Sequence, residues 1–203
     1  MNEHPALLAL MIAAGVYVFS LWRQDYVANL AGHPNRGALP GATPASLKAC
    51  VIAAVGAMVI LTGETWGELE LGLSEQQSKM TVLFGIYTLA AAFIEELIFR
   101  GFIVIETKNR RLRWVGVLSA SVIFAALHPF LWKWDDAGLI WTIGAKGWFS
   151  TAAVFISSLW FYFVRLTAFN PGQSLIPCIV AHATKNLGVF AVKGVQGFVT
   201  ALW

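Results

Sequence analysis

The chain has 203 residues, of which 58% are hydrophobic and only 12% charged, and its mean hydropathy is +0.67. This composition is too apolar for an ordinary soluble domain, and it predicts a polytopic helical membrane protein. The net charge of +3 does not indicate a nucleic-acid partner, because the basic residues mark loop ends instead of gathering in one soluble module.

Six apolar runs are predicted to cross the membrane as helices. The first lacks a basic start and a cleavage pattern, so we expect a membrane helix and not a removed signal. The fold class is therefore all-α, a transmembrane bundle of about six to seven spans around a central polar cavity. We expect a single integral-membrane domain over residues 1–203, with its motif-bearing core at about 80–192. The predicted spans are Ala6 to Trp22, Leu47 to Thr62, Met80 to Ile105, Trp114 to about Leu131, Trp148 to Val164 and Leu175 to about Val192.

The connectors are predicted to be irregular or interfacial. Arg23 to Ser46 contains three prolines and three glycines, which argue against a long regular element. A polar connector with four glutamates follows Thr62. Residues Trp132 to Gly147 mix tryptophan with charged side chains, an interfacial composition that favours a partly inserted helix. The placement of Gly194 to Trp203 is not predicted.

Lysine and arginine occur mainly in alternate connectors, and this pattern predicts the orientation. They follow the first span, the third span and the fifth span, with the densest cluster from Lys108 to Arg113. By the positive-inside rule the basic loops are cytoplasmic and the amino terminus is outside, in the plasma (inner) membrane.

Two adjacent carboxylates and a guanidinium fall inside the third apolar run. Each such group at the centre of a bilayer costs about 2.5 to 3.5 kcal/mol on insertion scales. Glu96 and Arg100 are four residues apart on one helix face and are predicted to form an ion pair. Glu95 points elsewhere and is left for another partner. A purely structural alternative is a buried salt bridge that fixes helix packing.

Two further spans each carry a polar pair with helical spacing. Phe124 and His128 are four residues apart in the fourth span, as are His182 and Asn186 in the sixth. A lone histidine there could simply hydrogen-bond to a neighbouring helix. The least costly arrangement, however, gathers all these polar groups in one hydrated cavity.

These carboxylate, imidazole and amide side chains fit hydrolysis of an acyl bond. A carboxylate and an imidazole facing one water form a general-base site, and a second imidazole with an amide can stabilise an oxyanion. A glutamate with two histidines also matches a ligand set of catalytic zinc, although no HExxH spacing is present. The two cysteines, Cys50 and Cys178, have no metal-binding spacing and are expected to be core residues.

Three motifs resemble those of the CAAX-protease and bacteriocin-processing (CPBP, or Abi) family of intramembrane proteases. Glu95-Glu96-Leu-Ile-Phe-Arg100 is similar to the family's EExxxR motif, Phe124 to His128 to its FxxxH motif, and His182 to Asn186 to its HxxxN motif. Their order and approximate spacing also agree, over Phe93 to Asn186.

The resemblance implies an all-helical endopeptidase of the Rce1-like, glutamic type. By that similarity Glu95 with His128 activates water, and Glu96 with Arg100 orders the site. His182 and Asn186 would stabilise the oxyanion, and Phe124 would be a packing residue. No cofactor is expected, and zinc at the Glu95, His128 and His182 cluster is the less favoured version.

We therefore predict an intramembrane endopeptidase that cuts near the membrane-proximal, carboxyl-terminal region of a membrane-tethered protein or peptide, with the lipid bilayer as its surroundings. The alternatives are a non-catalytic membrane immunity or binding protein, and a transporter, whose paired interrupted spans the sequence lacks. One conflict accompanies the prediction: Glu95 is near the middle of its span, and His128 is near the outer end of its own. The fourth helix must then extend past Leu131 or lie deeper.

Overall fold

The computed structural model describes residues 4–104 and 109–203, and most of this part is α-helical. Four segments are long and apolar enough to cross a membrane by length and composition: Pro5–Leu30, Leu47–Glu70, Val82–Phe102 and Ala145–Leu166. The predicted all-α membrane bundle is confirmed. The helices are α1 (Pro5–Leu30), α2 (Leu47–Glu70), α3 (Val82–Glu96), α4 (Arg110–Leu127), α5 (Ala145–Leu166) and α6 (Ile176–Val195); β1 (Trp132–Asp135) and β2 (Gly138–Trp141) form a hairpin.

Side chains that the sequence places just before the helices fix several of their starts. Ser46 accepts a hydrogen bond from the amide of Ala49, and Thr81 accepts one from the amide of Phe84. Asn109 accepts from two amides of the first turn of α4. These caps satisfy amides that have no partner within their own helix. Ile105, the predicted end of the third span, and Lys108 of the basic cluster lie outside the described residues, as do Asn2 and Glu3.

Two predicted spans are too short. α1 continues past Trp22 to Leu30, because the first glycine or proline after Trp22 is Gly32. α2 continues past Thr62 to Glu70. Its glutamates do not end the helix because they have cationic partners: Glu64 pairs with Lys185 on α6, and Glu68 pairs with Lys146 on α5.

Close approach between helices depends on small residues. Ala49, Ala53 and Ala57 recur every four residues along α2 and are fully buried. Gly56 lies against the ring of Trp160, where an added Cβ would be 2.0 Å from a ring carbon. Small residues of this kind allow membrane helices to pack backbone to backbone. α2 thus packs against both α5 and α6, and α3 packs between α1 and α6.

The segment from Trp132 to Gly147 is a β-hairpin up to Trp141, so the prediction of a partly inserted helix is wrong there. β1 and β2 are antiparallel, with Trp132 opposite Trp141 and Asp135 opposite Gly138. The side chain of Asp135 accepts a hydrogen bond from the amide of Ala137, and Gly138 has a φ of +106°, which favours glycine. This local turn chemistry closes the hairpin.

The last residues, whose placement the sequence did not predict, run beside the start of α3. The amides of Val82 and Leu83 donate to the carbonyls of Ala201 and Leu202, each at 2.9 Å. Met80 and Thr200 are also joined through the backbone. The tail therefore pairs with amides at the start of α3 that lack a partner within that helix.

Candidate active site

The twin glutamates stand at the end of α3, where the backbone changes its winding. Leu97–Phe102 forms a π-helical turn that contains Arg100. Such wide turns are frequent at functional sites. α5 supplies their hydrogen-bond partners: the hydroxyl of Tyr162 donates to the carbonyl of Phe99 at 2.6 Å, and Nε of Arg165 donates to the carbonyl of Arg100 at 3.0 Å. The turn is thus held in place from the neighbouring helix.

Glu96 and Arg100 form the ion pair that their helical spacing predicts. Nη1 of Arg100 lies 3.1 Å from Oε1 of Glu96, and both side chains are 0% exposed. Nη2 of Arg100 donates to Oγ of Ser158 at 2.6 Å, and Ser158 in turn donates to Ser121 at 3.0 Å. The guanidinium carbon lies 4.5 Å from the ring centre of Phe124. Several partners thus compensate for a charge removed from water.

His182 lies between the two glutamates. Its Nδ1 is 2.8 Å from Oε1 of Glu96, and its Nε2 is 3.7 Å from Oε2 of Glu95. The ring stacks on Phe161 at a centroid distance of 4.7 Å. Because Glu96 also pairs with Arg100, that carboxylate holds the guanidinium and the imidazole at once. Sequence spacing could not show this link, since it depends on how α6 is rotated against α3.

Glu95 differs from its neighbour in access to solvent. Its side chain is 32% exposed, whereas the Glu96 side chain is fully buried. The 3.7 Å between Glu95 and His182 exceeds a direct hydrogen bond. Glu95 is therefore a partly exposed carboxylate with an imidazole nitrogen close by.

His128 immediately follows α4, and its orientation is set by that helix. Its Nδ1 is 2.8 Å from the carbonyl oxygen of Phe124. Since a carbonyl oxygen can only accept, Nδ1 carries the proton, and in the neutral ring Nε2 is left as an acceptor. His128 is close enough to Glu95 and His182 to interact electrostatically with both. The two histidines and Glu95 therefore belong to one cluster.

The conflict over the depth of His128 is resolved without a longer helix. α4 ends at Leu127, so the expected extension past Leu131 is wrong. Pro129 explains the end, because a residue before proline avoids helical backbone angles, and His128 has a ψ of 127°. α4 instead begins earlier, at Arg110, and it is Phe124, one turn before the helix ends, that packs on Arg100.

Asn186 lies one turn beyond His182 but faces the backbone of α3. Its Nδ2 donates to the carbonyl of Thr88 at 2.9 Å. An amide nitrogen carries two protons, so one remains for another acceptor. The next residue back, Lys185, is buried against Glu64 of α2. The structure thus attaches Asn186 to the edge of the cluster, through α3.

Taken together, the predicted residues converge from three helices. Direct contacts join Glu95, Glu96, Arg100 and His182, and the ring of Phe124 touches those of both histidines. Sequence reasoning missed the groups that hold this arrangement, because serine and tyrosine in an apolar helix carry no distinctive spacing. These groups are Ser121, Ser158, Tyr162 and Arg165.

The zinc hypothesis finds little support in the arrangement of these side chains. Within residues 4–104 and 109–203, no three histidine, cysteine, aspartate or glutamate side chains are grouped so that they could hold a metal ion. The cofactor prediction itself stays a prediction.

Comparison with known proteins identifies the family. The family model of type II CAAX prenyl endopeptidases, Rce1-like, matches residues 77–188, which is more than half of the chain and includes all three motifs. No curated protein and no solved structure matches the chain. The chain therefore belongs to the Rce1-like family of type II CAAX prenyl endopeptidases, which makes it in kind a membrane-embedded peptide hydrolase.

Proposed function

We propose that this protein hydrolyses a peptide bond near the carboxyl-terminal, membrane-proximal region of a membrane-tethered protein, with Glu95 as the general base. The observation that carries the proposal is the contrast within the glutamate pair. Glu95 is partly exposed and lies near His182, with His128 close enough to interact electrostatically, while Glu96 is buried and paired with Arg100. Two identical side chains in such different surroundings suit two different roles.

The proposed reaction begins with a water molecule beside Glu95. The carboxylate takes a proton from the water as its oxygen attacks the carbonyl carbon of the peptide bond. Nε2 of His128, an acceptor in the neutral ring, orients the second proton of the water. The tetrahedral intermediate then collapses: the carbon–nitrogen bond breaks, and Glu95 returns the proton to the departing amine nitrogen. The products are a new carboxyl group and a new amine.

The oxyanion requires donors on the opposite side of the carbonyl carbon. His182 meets this need in its doubly protonated form, with Nδ1 donating to Glu96 and Nε2 donating to the oxyanion. The two adjacent glutamates would balance the charge of that ring. The second amide proton of Asn186 is the other candidate donor. Glu96 and Arg100 act through His182, because they fix the orientation of its ring.

Cleavage of defined peptides by the purified protein in liposomes tests the proposal. The probes are a fluorescence-quenched peptide with a farnesylated CAAX end and the same peptide without the lipid. We expect Glu95→Gln to lower kcat by about 10²- to 10⁴-fold, because an amide cannot accept the proton. The matched control is Glu75→Gln, a change at an exposed glutamate on the surface, which should cleave as the wild type does.

Two results would count against the proposal. Undiminished cleavage by Glu95→Gln removes the general base. Absence of cleavage by the wild type, with peptide binding kept in Glu95→Gln, favours the non-catalytic binding protein instead. Cleavage of the farnesylated peptide alone would show that the lipid is part of the substrate. Cleavage of both peptides would show that it is not required.

A further inference from the structure

The hairpin between α4 and α5 has one aromatic face. The register places Trp132 opposite Trp141 and Trp134 opposite Leu139, and side chains at alternate positions of a strand project from the same side. These four apolar side chains therefore share a face. Lys133, Asp135 and Ile140 project from the other side. The hairpin is amphipathic, although each strand has four residues.

Three of the four side chains on the aromatic face are exposed, and Trp132, at the base of the hairpin, is half-buried. Trp134 is 73% exposed, Trp141 66% and Leu139 48%. On the opposite side, Ile140 is half-buried. Large apolar side chains next to the hairpin in the chain are also exposed: Leu127 at the end of α4, Ile143 between β2 and α5, and Trp148 in the first turn of α5. An apolar surface of this kind is costly in water and indicates contact with another apolar phase.

The position of the hairpin identifies that phase. The hairpin joins the end of α4 to the start of α5, and α5 is long and apolar enough to cross the membrane. It therefore lies where a span emerges from the bilayer. Tryptophan is enriched at this boundary because its ring is apolar while its N–H group can reach polar partners. Charged Asp135 and Asp136 at the turn suit the aqueous side.

We propose that the hairpin Trp132–Trp141 is a membrane-interface anchor whose tryptophan face is inserted among the lipid headgroups. The partner is the lipid surface itself, because the exposed apolar face lies at the start of α5, which is long and apolar enough to cross the membrane. The anchor lies beside the candidate active site, and it holds one end of the bundle at a fixed depth.

Contacts at the base of the hairpin connect this anchor to His128. Nε1 of Trp132 donates to the carbonyl of Ala126, in the last turn of α4, at 2.8 Å. Phe130 stacks on His128 at a centroid distance of 6.0 Å. The carbonyl of Phe130 lies so close to Gly147 that a Cβ there would be 2.5 Å from it. The depth of the hairpin and the position of His128 are therefore coupled.

Spin labels on the hairpin test the anchor without any measurement of activity. Single cysteines replace Trp134, Leu139 and Trp141 on one face and Lys133 and Asp135 on the other, in a Cys50→Ala background. Cys178 stays, because it is fully buried. Each labelled protein is reconstituted in liposomes of phosphatidylcholine and phosphatidylglycerol, and collisions with oxygen and with a water-soluble nickel chelate are measured.

We expect an alternation with a period of two residues. Labels at 134, 139 and 141 should collide several-fold more with oxygen than with the nickel chelate, relative to labels at 133 and 135. Equal nickel access at all five positions would place the hairpin in water and overturn the proposal. Shielding of the first three labels from both reagents would show that protein, such as a second copy of the chain, covers the face.

Quenching by brominated lipids gives a second measurement that needs no label. Bromine atoms near the lipid carbonyls should quench Trp134 and Trp141, so the Trp134→Ser/Trp141→Ser variant should lose part of the quenched emission. An unchanged quenched fraction would contradict the anchor. Because neither measurement uses peptide cleavage, a failed anchor and a failed peptidase assignment are distinguishable.

Discussion

At the scale of single residues, the site depends on one carboxylate with two partners, a guanidinium and an imidazole. Oε1 of Glu96 lies 3.1 Å from Arg100 and 2.8 Å from His182. All three side chains are buried, so the carboxylate is stabilised by these two partners and not by water. Removal of one partner would therefore affect both the fold and the orientation of the imidazole.

Arg100→Ala should destabilise the protein strongly. It leaves Glu96 buried without its guanidinium, and a broken buried pair costs about 3 to 5 kcal/mol. We expect a lower folded yield and a lower thermal midpoint in detergent. Arg36→Ala, at an exposed position in the first loop, is the control and should unfold as the wild type does. A wild-type midpoint for Arg100→Ala would refute the energetic role of the pair.

Ser158→Ala should reduce both stability and activity. Ser158 donates no bond to substrate, but its Oγ accepts from Arg100 at 2.6 Å and so positions the guanidinium. A hydrogen bond to a charged group contributes about 1.5 to 3 kcal/mol. We expect kcat to fall while KM stays unchanged. The adjacent Ser157 bonds to its own helix, through the carbonyl of Ala153, so Ser157→Ala is a closely matched control.

Steady-state kinetics of both serine variants provide the measurement. Equal losses of kcat in the two variants would show a general packing defect in α5. A Ser158→Thr variant keeps a hydroxyl and should recover part of the lost rate. Failure of that rescue, with the fold intact, would argue against a positioning role for this hydroxyl.

At the scale of elements, spacing predicted much of the site but not the local backbone. The pairing of Glu96 with Arg100 follows from their separation by four residues, and it persists although Arg100 lies in a π-helical turn. The turn itself could not be predicted, because its carbonyl partners, Tyr162 and Arg165, come from a distant part of the chain. The composition of the tryptophan-rich segment favoured an interfacial helix over a hairpin. The alternation of tryptophan with charged residues in Trp132–Asp135 is the signal that indicates a strand.

Tyr162→Phe tests how far the wide turn depends on α5. The change removes the hydroxyl whose proton is shared by the carbonyls of Phe99 and Ile103, and both acceptors lose this donor. The expected cost is about 1 to 3 kcal/mol. Hydrogen exchange should speed up at residues 97–103, and the thermal midpoint should fall. Tyr17→Phe, at an exposed position on α1, should change neither, and equal exchange in both variants would contradict the prediction.

At the scale of the whole molecule, lysines on α5 and α6 join neighbouring elements through ion pairs and hydrogen bonds beyond the active site. Lys185 pairs with Glu64, and Lys193 donates to Ser78 just before α3. Lys146 at the start of α5 pairs with Glu68. These contacts allow charged side chains to be carried on helices that are otherwise apolar, because each has a partner within the protein. They also explain why acidic residues did not end α2 where composition predicted.

Chelation tests the metal-free reaction that we propose. We expect peptide cleavage to survive dialysis against a strong chelator, with less than one zinc ion per protein molecule by elemental analysis. The reason is that no three side chains able to bind a metal are grouped for it within the described residues, 4–104 and 109–203. Loss of cleavage on chelation, restored by added zinc, would contradict this prediction.

The orientation of the bundle is the last prediction, and it concerns the molecule as a whole. Because Arg110, Arg111 and Arg113 open α4 and Arg165 is in the last turn of α5, these cations belong to the end of the bundle opposite the hairpin. Positive charge is retained in the cytoplasm, so the hairpin should face outward. Asp136→Cys in the hairpin turn should react with a membrane-impermeant maleimide in intact cells, whereas Arg36→Cys should react after lysis only. The reverse pattern would invert the orientation and place the anchor on the cytoplasmic face.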